Sequence, residues 1–562
     1  MELILVVVGA IVVAAVANKR GLEPALMIVV VGIAASFLPG FQALELDSHV
    51  LLTVVLPPLL YSAALDFSFP TFMRNIKPIL GLGVGLVVVT AFVVAAVSSW
   101  LVVVPLTFLT ALVLGAIVAP PDAVTAVAVG RKLGLPKRVM AILTGESLIN
   151  DAAALTLFSI AVAQVAGTHT FIGNPLLLFG YSALLGPLVG AALGYVTLWI
   201  RERLNNPSLE TIQGLVVPFA AFIAAERFHA SGVLAVVVAG FVVGSGTLSA
   251  GYQTRLQERY VWHSVDVLLE AFVFAYIGLH LRFVLEDLRD AHESLGEVAV
   301  ASAVVLLIVL VIRPLSVFVM FGRGVLSRHV DRRLSVPVPE NGRGALGGRP
   351  RKRPKGKWRS MIDHTALTWQ ENVVVSWTGM RGVVTLAAAA GIPATTASGE
   401  PFPERASIQA IAFVVAVGTL LLQGWTLPPL IRRLHLSSQE TDRVYDSLET
   451  DKAENIVHSA ADQVLAEFQA NPPQGLDTSV LTEIRDRIAR HSKDADEMPD
   501  PEAHELRAEV FARLYRDVLA AQRAALISER DAGNIDDEAV RAMLGRLDLQ
   551  EASVTARLDS RL

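Results

Sequence analysis

Ionisable side chains inside long apolar segments are the residues of this sequence most able to do chemistry. They are Asp122, Glu146, Asp151, Arg313 and Arg381. A charge in the hydrocarbon of a bilayer costs several kcal/mol, so such residues pair with one another or line an ion pathway. These side chains are therefore the first candidates for a functional site.

The segment with the sequence GESLIND, residues 145–151, places several oxygen-bearing side chains within two helical turns. Ser147 and Asp151 are four residues apart and share one face of a helix, with Asn150 about 100° away. Hard cations bind to carboxylate, hydroxyl and carbonyl oxygens. We therefore predict that Asp151, Asp122, Ser147 and Asn150 form the ion-binding and proton-exchange set. Within it, Asp151, Asp122 and Ser147 are the predicted metal ligands, and the metal is the transported cation.

Glu146 is predicted to form a structural ion pair, because an unpaired buried charge is very costly. Arg313 and Arg381 are both candidate partners. Two alternatives stay open. In the first, Asp122 caps a broken helix, either alone or in addition to binding a cation. In the second, Arg381 neutralises helix ends or carboxylates and does not contact an ion.

Helix-breaking residues lie beside Asp122 and Arg381 in two of the apolar segments. Pro120 and Pro121 stand in one of them, and consecutive prolines interrupt the hydrogen bonding of a helix. Gly379 and Gly382 form the weak point of the other. Irregular backbone at membrane depth is tolerated where it is packed in protein or lines a cavity. Broken helices at corresponding positions of two halves are typical of inverted-repeat transporters with a site near the midplane.

The elements that must position these residues are membrane helices. The chain has 562 residues, 53% of them hydrophobic and 18% charged, with a mean hydropathy of +0.53, which excludes a chain that is water-soluble throughout. A membrane helix needs about 20 apolar residues. The candidate spans are 2–18, 25–39, 48–63, 78–101, 106–129, 136–165, 175–200, 209–225, 231–248, 262–281, 297–321, 371–392 and 406–431. The predicted fold is an all-α polytopic membrane protein of about 13 transmembrane helices. Two inverted repeats have broken helices that cross near the midplane, and a cytoplasmic helical tail follows.

The positive-inside rule gives these spans an orientation. The connections between successive spans fall into two alternating sets, one on each side of the membrane. Before the loop at 323–362, one set carries twelve lysines and arginines and the other carries four. The loop at 323–362 belongs to the first set and adds many more. This pattern predicts a multi-pass protein of the cell membrane with its N-terminus outside and its C-terminal tail in the cytoplasm.

The chain divides by charge into a transporter domain and a tail. Residues 435–562 hold 15 basic and 27 acidic residues, and we predict an acidic cytoplasmic helical domain there. The loop at 323–362 is basic and rich in glycine and proline. It is either a topology determinant or a contact to anionic membrane lipid, and a nucleic-acid partner is not expected. Residues 1–434 form the predicted transporter domain, without a cofactor.

These segments resemble the monovalent cation:proton antiporters, which include the sodium/hydrogen exchangers. The resemblance rests on the GESLIND segment, on Gly379-Met380-Arg381-Gly382, on Asp122 standing 24 residues before Glu146, and on the Val-Ile-Arg-Pro segment that contains Arg313. It covers about residues 1–434 and does not extend to the tail.

The resemblance implies an exchange in which Asp151 alternately carries a cation and a proton, with Asp122 and Ser147 as ligands or supports. Asn150, in place of a second acid, is similar to the electroneutral branch. Glu146 would pair with Arg313, or alternatively with Arg381. The resemblance also implies a homodimer, with a core bundle (78–165 and 297–434) that slides against a dimerisation bundle (1–63 and 209–281) and a linker helix at 175–200.

The sequence departs from the family pattern at two places. The common Thr-Asp-Pro triplet is replaced by Pro120-Pro121-Asp122-Ala123, and the acid that many members carry after a Pro-Pro pair in the third span is here Tyr61-Ser62. Both changes remove oxygens. The predicted function is secondary active antiport of a monovalent cation, sodium first, for protons, which serves pH homeostasis. A potassium/proton antiporter and a passive cation channel remain the alternatives, and an intramembrane aspartyl protease is disfavoured because its motifs are absent.

Overall fold

The computed structural model describes residues 2–38, 51–100, 104–122, 124–168, 172–204, 206–247, 250–334, 367–436, 440–470 and 504–559. The basic loop predicted at 323–362 lies outside the described residues from residue 335 onward, as does the part of the predicted tail at 471–503. The described part of the chain is helical and contains no strand beyond one isolated bridge between Thr395 and Pro401.

Residues 2–166 form nine helices in the part of the chain that the structure describes. They are α1 (Glu2–Lys19), α2 (Pro24–Ala35), α3 (Leu56–Asp66), α4 (Phe69–Arg74), α5 (Ile76–Leu80), α6 (Val87–Trp100), α7 (Phe108–Val118), α8 (Val124–Leu133) and α9 (Lys137–Ala166). Two π-helical stretches, Leu51–Val55 and Gly81–Leu86, run directly into α3 and α6.

The helices from residue 175 onward begin with long ones and end with those of the tail. They are α10 (Pro175–Leu204), α11 (Pro207–Arg227), α12 (Gly232–Gly246), α13 (Tyr252–Leu279), α14 (Leu281–Asp290), α15 (Leu295–Leu334), α16 (Trp369–Trp377), α17 (Val383–Ala390), α18 (Arg405–Leu434), α19 (Glu440–Ala470), α20 (His504–Asp531) and α21 (Asp537–Asp559).

Apolar helices dominate the described part of residues 2–434. Among the described residues, seven continuous helical segments are long and apolar enough to cross a membrane, two of which join consecutive helices. They are Ile76–Trp100, Lys137–Ala166, Pro175–Leu204, Pro207–Arg227, Tyr252–Asp290, Leu295–Phe321 and Arg405–Leu434. Five shorter apolar helices accompany them. The protein is therefore a multi-pass membrane protein, and the count of thirteen crossings stays a prediction.

Two predicted spans are each broken into two short helices. The fifth span consists of α7, which ends at Val118, and α8, which begins at Val124, and the two prolines lie between them. The twelfth span consists of α16 and α17, separated by residues 378–382. Each first half begins with a side-chain cap. Thr107 accepts from the Thr110 backbone N–H, and Thr368 forms a capping box with Glu371.

The chain separates into two compact units. The first contains residues 1–203, 213–244 and 262–438, and the second contains 204–212, 245–261 and 439–562. In the first unit, α7 is buried on nearly all sides against α6 and α9. A short helix that is apolar all round is expected at the centre of a membrane bundle, and its broken end therefore lies in the protein interior.

The second unit contains the three tail helices. Ala453 and Val457 of α19 pack with Tyr515 and Leu519 of α20 and with Leu544 of α21 in one apolar cluster. This cluster gives the tail a hydrophobic core of its own.

Candidate functional site

The two broken spans meet at their breaks. The backbone N–H of Asp122 donates to the carbonyl of Met380 over 2.6 Å. Asp122 Oδ2 lies so close to Gly382 that a β-carbon on that residue would overlap it. Gly382 is the N-cap of α17, so the Asp122 carboxylate lies at the N-terminus of this helix, where its negative charge is favoured. Only a glycine leaves room for this approach.

Helix α9 contributes an amide to the same place. The Asn150 side chain is fully buried, and its Nδ2 donates to the Pro121 carbonyl. Pro121 lies between the end of α7 and the start of α8, and Asn150 satisfies its carbonyl. Its Oδ1 is buried and has no hydrogen-bond partner among the described residues. An amide oxygen is therefore directed into the interior beside the break.

Asp151 is the most unusual carboxylate of the site. Its side chain is 8% exposed, and no hydrogen bond or ion pair joins it to any residue in the described ranges. It interacts electrostatically with Asp122, so the two acids of the predicted set lie near each other. Ser147, one turn earlier on α9, is half-buried. A buried carboxylate without a protein partner is suited to take up a proton or a cation.

Glu146 and Arg313 form a buried ion pair. Arg313 NH1 lies 2.5 Å from Glu146 Oε1, and NH2 lies 2.9 Å from Oε2, which is a bidentate geometry. Arg313 also donates through Nε to the Val375 carbonyl over 2.9 Å. Both side chains are at most 2% exposed. Of the two arginines considered from sequence, the structure pairs Arg313 with Glu146.

Arg381 binds backbone carbonyls at the two breaks. Its Nε donates to the Val118 carbonyl over 2.9 Å, and NH1 donates to the carbonyl of Gly379. Val118 ends α7, so the guanidinium lies at a helix C-terminus, where positive charge is favoured. This geometry corresponds to the alternative in which Arg381 neutralises helix ends.

Three polar residues near these elements were not identified from sequence. Thr419 of α18, fully buried, accepts the backbone N–H of Arg381 over 3.0 Å. Asp266 of α13 accepts a 2.6 Å hydrogen bond from Ser62, and Glu270, one turn later, interacts electrostatically with Asp122. Two carboxylates within the span at 262–281 were a signal by the same cost argument that selected Asp151.

Comparison with known proteins identifies the family of this chain. The family described as "Sodium/hydrogen exchanger, transmembrane" matches residues 3–433. The chain belongs to the sodium/hydrogen exchanger family. The match covers the GESLIND segment, both broken spans and the Glu146–Arg313 pair, so every residue of the site lies within the exchanger region.

Among the relatives in the exchanger family, the similarity extends in one case over the whole chain, including the tail. An uncharacterised Na⁺/H⁺ exchanger of Mycobacterium bovis is 28% identical over 100% of this chain and 97% of its own length. The low-affinity Na⁺/H⁺ antiporter NhaS1 of Synechocystis is 28% identical over 76% of this chain and 72% of its own.

A solved structure shares the fold. The sodium proton antiporter MjNhaP1 from Methanocaldococcus jannaschii aligns with a TM-score of 0.58 at 18% sequence identity, over 77% of this chain and 99% of that one. The all-α antiporter fold predicted from sequence is thereby confirmed.

Proposed function

We propose that this protein exchanges a monovalent cation for protons across the cell membrane, with sodium as the leading candidate. In this proposal the cation and the proton compete for Asp151. The observation that carries the proposal is the environment of this carboxylate. It is buried, it has no hydrogen-bond or ion-pair partner among the described residues, and it lies near Asp122 at the meeting of two broken helices. The names of the relatives point to the same cation and the same exchange.

Competition follows from the cost of burying charge. An isolated buried carboxylate is strongly disfavoured, and either a proton or a cation removes the cost. One ion excludes the other, because the first to bind cancels the negative charge that attracts the second. If the site is open to one side at a time, each cation that leaves is replaced by a proton.

The surrounding groups can complete a cation site from oxygens. Asp122 and Ser147 are the proposed further ligands, and Asn150 directs an amide oxygen toward the break. In this proposal Glu146 is no ligand, because both of its carboxylate oxygens are held by Arg313.

Exchange of one cation for one proton is the proposed stoichiometry. Glu146 is neutralised by Arg313, and Asn150 adds no charge. The Asp122 carboxylate lies at the N-terminus of α17, which favours its charged form. Asp151 is therefore the group proposed to change its charge state during transport. A site that holds either one proton or one monovalent cation at Asp151 carries the same charge in both loaded states, and its turnover moves no net charge. The proposal also includes a homodimer with the N-terminus outside and the tail in the cytoplasm.

The experiment is ion exchange in proteoliposomes that contain the purified full-length protein and a trapped pH indicator. An outward sodium gradient should drive proton uptake at a rate independent of membrane potential when the potential is clamped with valinomycin and potassium. Sodium, lithium and potassium gradients, applied in turn without valinomycin, rank the cations. Potassium as the best substrate would favour the potassium/proton antiporter, and current without proton coupling would favour a channel.

A further inference from the structure

Thr385 stands in the first turn of α17, directly after the break at 378–382. Its side chain is 1% exposed, and its hydroxyl has no hydrogen-bond partner among the described residues. A buried hydroxyl without a partner costs about 1–3 kcal/mol. A buried hydroxyl without a partner requires an explanation. The hydrogen bonds of the Glu146–Arg313 pair and of Arg381 do not involve it.

Other helical threonines of the chain satisfy their hydroxyls locally. Thr156, Thr197 and Thr426 each donate to the carbonyl four residues earlier in their own helix, over 2.6–2.8 Å. For Thr385 the residue four positions earlier is Arg381, which lies before the N-cap of α17 and outside the helix. The break therefore leaves the Thr385 hydroxyl without the usual acceptor.

The position of Thr385 in α17 places it over the turn that the Asp122 carboxylate approaches. Helical side chains lean toward the N-terminus of their helix, so Thr385 lies over the turn that contains Gly382, where Asp122 Oδ2 makes its close approach. The neighbouring Val384 packs in one apolar cluster with Leu148 and Ala152 of α9. These two residues are on the same stretch of α9 as Asp151.

We infer that the Thr385 hydroxyl is a further oxygen ligand of the transported cation, at the junction between the Asp122 carboxylate and α9. A hydroxyl has one proton and two lone pairs. The proton can be donated to a carboxylate while a lone pair faces the cation, which resolves the missing partner and adds an oxygen to the site. The inference rests on the proposed function and names a residue that determines how tightly the cation is held.

The test compares Thr385→Val, which keeps the shape and removes the hydroxyl, with Thr385→Ser, which keeps the hydroxyl. Full-length variants are reconstituted in proteoliposomes, and KM and kcat are measured for sodium and lithium at fixed pH. Loss of one oxygen ligand should raise KM about tenfold for at least one cation. The serine variant should stay within about twofold of the parent protein. Thr156→Val is the matched control, because its hydroxyl is used inside α9, and its KM should not change.

A purely structural role would give a different result. It would lower the yield of folded protein and kcat while KM for both cations stays at the parent value, and that result would overturn the inference. If Thr385→Val does not fold, Thr385→Ala and Thr385→Ser are compared by the sodium concentration needed to raise the apparent Tm in detergent. Equal concentrations for these two variants would also overturn it.

Failure of the inference is distinguishable from failure of the proposed function. A parent protein without cation-driven proton movement contradicts the proposed function. A parent protein that exchanges ions, together with Thr385→Val at an unchanged KM, contradicts the role of Thr385 alone.

Discussion

At the residue scale, two carboxylates five positions apart on α9 have opposite environments. Glu146 is held by both terminal nitrogens of Arg313, whereas Asp151 has no ion pair within the described ranges. Both are buried to a similar degree, at 1% and 8% exposed. In the proposed mechanism the partner decides the role: the neutralised Glu146 is structural, and Asp151, without a partner, remains available to ions.

Replacement of Glu146 by glutamine should mainly destabilise the protein. The change leaves the Arg313 guanidinium buried without a counter-charge, and loss of one member of a buried pair costs about 3–5 kcal/mol. We expect a clear fall of the apparent Tm in detergent. The matched control is Glu286→Gln, which breaks the exposed pair of Arg282 and Glu286 and should cost about 0.5 kcal/mol or less.

A different outcome would reassign Glu146. If the glutamine variant keeps the parent Tm but no longer binds or exchanges sodium, Glu146 is an ion ligand and the structural interpretation of the pair is wrong.

At the element scale, the breaks in the fifth and twelfth spans determine where the site can form. Each break exposes carbonyls, and the structure satisfies them from other elements. Asn150 donates to Pro121, and Arg381 donates to Val118 and Gly379. The prolines and glycines predicted both breaks from sequence. The contact between the breaks was not predictable residue by residue, because it joins positions almost 260 residues apart without a sequence repeat.

Replacement of Gly382 by alanine should disable exchange while the helices persist. The new β-carbon would overlap Asp122 Oδ2 and displace the carboxylate from the N-terminus of α17. A misplacement of about 1 Å in a reacting site costs up to about 100-fold in rate. We expect a loss of that order in sodium-driven proton movement, measured in proteoliposomes at matched protein content.

The control for this change is Gly85→Ala. Gly85 lies in the π-helical stretch before α6 and has no atom within 4 Å of its virtual β-carbon, so alanine should be tolerated. Parent-like exchange by Gly382→Ala would mean that the position of Asp122 against α17 is not needed for transport.

At the scale of the whole molecule, the second compact unit links the tail to short segments of the transporter chain. Arg255, in the first turn of α13, donates to the fully buried Asp548 of α21 through Nε over 2.8 Å and NH2 over 2.5 Å. Arg523 also bonds Asp548 over 3.0 Å. A buried carboxylate that accepts from two guanidinium groups fixes a specific arrangement within this unit.

Replacement of Asp548 by asparagine should loosen the second unit. The variant keeps the size of the side chain but removes the charge that balances two buried or half-buried guanidinium groups, at a cost of about 3 kcal/mol. Cleavage of the tail in limited proteolysis of the full-length protein should become about 100-fold faster if it follows the opened population. Glu454→Gln, which breaks the exposed pair with Arg546, should leave cleavage unchanged. Parent-like cleavage of the Asp548 variant would show that the network contributes little.

The sequence predicted the fold of the membrane region more fully than the packing of the tail. The apolar segments, the charge asymmetry and the GESLIND segment were sufficient for the all-α antiporter fold and the family, both of which are confirmed, because bilayer thickness and the cost of buried charge constrain a membrane sequence strongly. The grouping of residues 204–212 and 245–261 with the tail was not predicted. Side-chain pairs such as Arg255 and Asp548 join positions 293 residues apart, and no local pattern encodes them.

The most direct measurement of the central claim is sodium-driven proton movement by Asp151→Asn in proteoliposomes, beside the parent protein. Asparagine keeps the shape of the side chain but can neither bind a proton nor present a negative charge at neutral pH. The account predicts a variant that is folded, with a monodisperse elution profile and an apparent Tm at or above that of the parent, and that moves no protons in response to sodium. Sodium-coupled proton movement at the parent rate would contradict the account, because no exchange could then depend on competition at this carboxylate.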